Sequence, residues 1–194
     1  MQTIPIKYSR GKTAFISNEV DINFTLLDFW AWAFSDVLTN TARGILAEFI
    51  VAKALDIDVK KPREAWAKFD LEYKDCGIEV KSASYHQRWF QKRMSTISFN
   101  VPKRRAWNAD TNQLEEKSQR QADFYVLSLL SEKDRTKINP LNINQWKFWI
   151  IETEFFNNRK RSQHSITYNS LIKEIGEPVC YHQIKKTIDD LIKK

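Results

Sequence analysis

The run Phe124-Tyr-Val-Leu-Ser-Leu-Leu130, broken only by Ser128, constrains the fold most. Seven residues are too few to span a bilayer, and a run this apolar without alternation reads as a strand buried on both faces. Such a strand needs a layer above and a layer below it. The expected class is therefore α/β, a mixed β-sheet flanked by α-helices, in one domain over residues 1–194. Composition supports a sizeable core: 42% of the residues are hydrophobic and 13% aromatic, enough to offset chain entropy. Four glycines and five prolines, scattered along the chain, exclude collagen-like and Gly-rich linker architectures.

Other segments fit that sheet. Phe69-Asp-Leu-Glu-Tyr73 and Ile78-Glu-Val-Lys81 alternate apolar and charged residues around the turn residues Asp75-Cys76-Gly77, which predicts a hairpin. Ser95–Val101 and Trp146–Ile151 read as further strands. Thr25-Leu-Leu-Asp28 has the form of a capping box, and Leu26, Leu27, Phe29, Trp30, Trp32 and Phe34 follow it, so a core helix is expected there. A second helix opens near Asn40 and runs to Leu55, buried on most sides. Ile184, Ile188, Leu191 and Ile192 recur at helical spacing near the C-terminus.

The formal net charge is +7, from 31 bases and 24 acids. Lys81, Arg88, Lys92, Arg93, Lys103, Arg104 and Arg105 fall in one stretch with no acid, so that stretch holds the whole excess. Concentrated positive charge points to a polyanion partner, with Trp89, Phe90 and Trp107 interleaved as stacking groups. Two cysteines, Cys76 and Cys180, make no disulfide framework, and Met1–Lys12 has no apolar core of a signal peptide. A reducing, cytoplasmic setting is expected, away from membranes.

The hairpin carries the chemistry. A turn in which Lys74 faces Gly77 would set Asp70 opposite Lys81 and Glu72 opposite Glu79, with all four on one ionic face. Two facing carboxylates need a cation, and hard divalent ions prefer carboxylate oxygens. A solvated face of cross-strand ion pairs is the plainer alternative. Glu48 adds weight to the first reading, because a lone carboxylate in so apolar a helix needs a metal ion or Lys81 as partner.

Asp70, eight intervening residues, Glu79-Val80-Lys81, and Glu48 on a preceding helix together resemble the PD-(D/E)xK nuclease superfamily, the restriction-endonuclease-like fold. The resemblance covers Asn40 to about Thr153, and Phe69 stands where the name-giving proline would be. It implies a metal-dependent endodeoxyribonuclease, of restriction or repair type, that hydrolyses DNA phosphodiester bonds. Asp70 and Glu79 would hold Mg²⁺, for which Mn²⁺ could substitute. The Val80 carbonyl would be a third ligand and Glu48 would act through a water or a second ion. Lys81 would orient or deprotonate the attacking water and neutralise phosphoryl charge. Gln87, Arg88, Lys92, Arg93, Lys103, Arg104 and Arg105 would follow the DNA, RNA being a second substrate class. Many enzymes of that superfamily are homodimers.

A noncatalytic nucleic-acid-binding module retaining the fold is the chief rival, and a protein whose Glu48 is merely solvated is the third. His86, His164 and His182 show no zinc-ligand spacing. No Gly-x-Ser-x-Gly elbow and no phosphate-cradling glycine loop is present, which disfavours a serine hydrolase and an ATPase. Asp123 reads chiefly as a strand-end cap.

Overall fold

The computed structural model describes residues 7–64, 67–108, 111–160 and 164–193. Its centre is a four-stranded mixed sheet in the order β3-β4-β8-β9, built from β3 (Leu71–Tyr73), β4 (Cys76–Ser84), β8 (Phe124–Leu130) and β9 (Trp146–Glu152). β4 runs parallel to β8, and β9 antiparallel to it. All seven residues of β8 are buried, as the unbroken apolar run requires of a strand paired on both edges and covered on both faces.

Two cores result. On one face, Ile78 and Val80 of β4, Val126 of β8 and Phe148 of β9 pack under α2 (Asn40–Ala54) and α5 (Ile184–Ile192), whose Ile184 and Ile188 are fully buried. Thr39 Oγ1 caps α2 by accepting from the Ala42 N–H at 3.4 Å. On the other face, Ala83, Leu127 and Trp149 meet α3 (Thr153–Asn158), α4 (Tyr168–Glu174) and the small ladder of β5 (Ser98–Asn100) with β10 (Ser165–Thr167). Each fully buried large side chain, such as Phe148, is worth about 1.5–3 kcal/mol of transfer free energy. The connection from β4 to β8 also carries the two-residue strands β6 (Trp107–Asn108) and β7 (Gln113–Leu114).

The structure corrects the expected hairpin register. Leu71 faces Ile78, Glu72 faces Gly77 and Tyr73 faces Cys76, so the turn is Lys74-Asp75, both in the left-handed region at φ 50° and 63°. Glu72 therefore does not oppose Glu79, nor Asp70 Lys81. The slip is two residues, so the paired residues Leu71–Tyr73 and Cys76 onward keep their expected faces, whereas Phe69, outside β3, lays its ring over Gly77 on the ionic side. Gly77 serves close approach instead of the turn: a Cβ there would lie 2.5 Å from the Phe69 ring.

The expected core helix is also corrected. α1 (Leu26–Phe34) forms, with the Thr25–Asp28 capping box in place, but Leu27 to Phe34 are all exposed. Both sheet faces are already covered by the layers above, and α1 packs instead beside the hairpin of β1 (Ala14–Ser17) and β2 (Val20–Thr25). On α2, Ile45 and Phe49 are likewise exposed, so that helix keeps one open stripe.

Candidate active site

Because β3 pairs with β4 only as far as Ile78, β4 runs on beyond its short partner. Asp70, immediately before β3, turns its carboxylate onto that edge. Its Oδ2 accepts the Val80 N–H at 2.8 Å, and its own N–H donates to the Ile78 carbonyl at 3.1 Å. Glu79 and Lys81 project from β4 and form an ion pair. Glu48 arrives from α2. Both its oxygens accept from the Arg63 guanidinium, Nη2 reaching Oε1 at 3.0 Å, and the same Nη2 stands 3.9 Å from Asp70 Oδ1. Helix, strand and an irregular segment thus meet at one point.

The side chains are partly dry but reachable, with 11% of Glu48, 18% of Asp70, 22% of Glu79 and 27% of Lys81 exposed. Burial, and then the Asp70 charge, push the Glu79 carboxyl up, against the pull of Lys81 and Arg104. Burial also pushes Glu48 up, the Arg63 hydrogen bond pulls it back, and Asp70 raises it again. Three acids therefore share one field, and the cations Arg63 and Lys81 answer it.

Lys81 stands between two depressions. One cleft is lined by Glu79, Lys81, Tyr125, Arg104, Arg120 and Lys68. In it Tyr125, pushed up to about 12 by burial and then by the Glu79 charge, stays a neutral hydroxyl. The other groove follows β4 past Ser82 and Ser84 toward Gln87 and Ser95, with Arg43 of α2 on its side.

The family model for bacteriophage T4 endonuclease IV matches residues 31–169, which contain this whole cluster. The chain belongs to the phage T4 endonuclease IV family. It is accordingly of the nuclease class, the phosphodiester hydrolases. Neither a curated protein nor a solved structure matches the chain.

The other residues singled out in the sequence occupy different positions in this endonuclease-family chain. Gln87 is tied into its own loop, donating to the Ser84 carbonyl and to Ser95 Oγ, both at 3.2 Å. Arg88 pairs with Asp36 at 2.6 Å. Lys92, Arg93 and Lys103 are exposed, Arg104 stands close enough to Glu79 to act on its carboxyl, and Arg105 donates to the Leu114 and Glu115 carbonyls. Asp123 caps the start of β4 by accepting the Gly77 N–H at 2.7 Å. His86 binds the Lys133 carbonyl at 2.8 Å. Among the described residues no three His, Cys, Asp or Glu side chains stand ready-spaced around a metal position.

Sequence reasoning missed Arg63, Arg43 and Tyr125. Arg63 lies in an irregular stretch that no periodicity marks. Arg43 is buried, its guanidinium donating to Ser82 Oγ at 3.1 Å, to the Leu38 carbonyl at 3.2 Å and to Asn40 Oδ1 at 2.9 Å. Burial pulls its pKa down. A base inside an apolar helix carries the same signal that drew attention to Glu48.

Proposed function

We propose that the chain is a divalent-metal-dependent endodeoxyribonuclease of the PD-(D/E)xK type, acting at Glu48, Asp70, Glu79 and Lys81. The observation that carries the reading is the Asp70 carboxylate on the Val80 N–H at the open edge of β4, beside the Glu79–Lys81 pair and joined through Arg63 to Glu48. The donor set suits a hard ion: Glu79 and Glu48 are pushed up in part by Asp70, a surplus of negative charge that Mg²⁺ or Mn²⁺ would relieve. Asp70, Glu79 and the Val80 carbonyl would hold the ion, with Glu48 behind them. When bound, it supplies polarisation of the scissile phosphate and a more acidic water.

The chain's own residues do the rest. Lys81, the cation of the Glu79 pair, donates from Nζ to orient the attacking water and balances charge developing on the phosphoryl oxygens, while the water's proton passes to solvent. Arg104 and Lys68 line the cleft beside it and would hold phosphate oxygens, the buried Arg120 being tied to the Val101 carbonyl and Asn157 Oδ1, and the neutral Tyr125 hydroxyl is a donor there. The groove past Ser82 and Gln87 would take the strand leaving the site, with Lys92, Arg93 and Lys103 along the backbone. DNA is favoured over RNA by the endonuclease family.

The test is cleavage of labelled DNA in Mg²⁺ against EDTA, together with calorimetric Mg²⁺ titration of the wild type and D70N. Cleavage that stops in EDTA, and weaker Mg²⁺ binding by D70N, support the reading. Undiminished cleavage in EDTA overturns metal dependence, and wild-type Mg²⁺ affinity in D70N overturns the site.

A further inference from the structure

Residues 13–36 form a unit that the proposed nuclease site does not use: β1, β2 and α1, packed mainly on one another. Phe15 meets Phe24 with tilted rings 4.6 Å apart, Leu27 N–H donates to the Gly11 carbonyl at 2.9 Å, and Phe29 meets Phe34 edge-on at 6.3 Å. The unit still shows a great deal of apolar surface, including Ile16 at 69%, Leu27 at 57% and Trp32 at 85% exposure. Ten large apolar side chains of the unit, about half exposed on average, present roughly 1,000 Å² in all, spread around α1 and over the hairpin. A standard protein–protein interface needs about 800 Å² from each partner. One side of the unit can supply part of that, and the surface it lands on the rest.

Charge selects the occupant. Between Thr13 and Ala42 stand four acids, Glu19, Asp21, Asp28 and Asp36, and no base. The segment carries −4 in a chain of +7, so the remainder carries +11. An apolar surface of that sign repels nucleic acid and anionic lipid and is drawn to a basic protein. Two such segments also repel each other, which favours a landing place on the body of the molecule. The body offers one: Ile45 and Phe49, 37% and 50% exposed, lie with exposed Lys53 at i, i+4 and i+8 along the outer stripe of α2, apolar with a base at its end.

We propose that residues 13–36 are an exchange arm that packs on the outer α2 stripe of a second copy of this chain, reciprocally, in a two-fold dimer. Phe29 and Trp32, at i and i+3 on α1, supply the apolar contact with Ile16, and Glu19 and Asp21 face the basic body. Glu48 and Arg43, which α2 carries toward the site, are themselves buried and border this stripe without forming part of it.

Sedimentation of the full chain at micromolar concentration tests this. The expected species has twice the 23.0 kDa chain mass. W32E and F49E, both at surfaces exposed in the protomer, should each weaken the dimer about tenfold or more while the far-ultraviolet spectrum is unchanged. The second variant keeps the test open if the first misfolds. E19K/D21K should weaken association as well. A wild-type monomer overturns the proposal, as does a dimer untouched by F49E, or one tightened by E19K/D21K, which would mean arm against arm. A monomer that binds phosphatidylserine vesicles, or whose Trp32 fluorescence is quenched by single-stranded DNA, also overturns it.

Discussion

Replacing Arg63 by alanine removes the cation shared by Glu48 and Asp70, and its effect should depend on whether Mg²⁺ is present. Without metal, the variant leaves the Glu48 carboxylate, 11% exposed, with no adjacent guanidinium. Breaking a fully buried pair costs about 3–5 kcal/mol and an exposed one about 0.2–1 kcal/mol. Arg63 is 40% exposed, so the solvent-screened loss should be about 1–2 kcal/mol, or roughly 3–6 °C in melting temperature for a chain of this length. With Mg²⁺ at the carboxylates, the ion supplies the missing positive charge. The deficit should then shrink, and Mg²⁺ should raise the melting temperature of R63A more than that of the wild type. Each tenfold gain in affinity adds about 1.4 kcal/mol to the stabilisation at saturating metal. Thermal melts in EDTA and in MgCl₂ make the comparison. An equal deficit in both buffers would mean that Arg63 is only a structural ion pair and does not stand in for metal.

Two further outcomes follow from the same geometry. The Glu79 carboxyl is held above its usual value by burial and then by Asp70, so its ionised form costs stability in metal-free protein, in full above the folded pKa. That cost is relieved as pH falls through the folded pKa toward the unfolded value near 4.5, so E79Q should melt higher than wild type in EDTA at about pH 8, with the gain gone by about pH 4. Equal melting at about pH 8 would contradict the assignment. K103A/R104A/R105A should weaken binding to unrelated DNA sequences alike and reduce the salt slope by about 2, not 3, since each phosphate contact adds about 0.9 and Arg105 is already engaged with backbone carbonyls. An unchanged slope in filter binding across salt would place the DNA path elsewhere.

Much of the architecture was legible because it rests on local patterns. The run from Phe124 to Leu130 named the central strand, and the alternation of Leu71–Tyr73 with Ile78–Lys81 named both faces of the hairpin, though Phe69 falls on the other side. Its register was not legible: Asp75-Cys76-Gly77 looks like the turn, whereas Lys74 and Asp75 take the left-handed conformations and Gly77 makes room for Phe69. Parity survived, and with it the grouping of Asp70 with Glu79 and Lys81. Glu48 was legible as a charge in an apolar helix, and it is buried. Arg63 was not, since an irregular segment is brought to its partners by tertiary packing alone. α1 misled for another reason. Apolarity on every side predicts burial but does not say against which molecule, and the layers on both sheet faces leave it outside the core.

The central claim is that Lys81, on β4 beside Glu79, serves the chemical step. Single-turnover cleavage of saturating DNA by K81A, in Mg²⁺ and with its folded spectrum and DNA affinity checked, measures that directly. A fall in rate of about 10³-fold or more with binding retained is the predicted result. Cleavage by folded K81A at the wild-type rate would contradict the account.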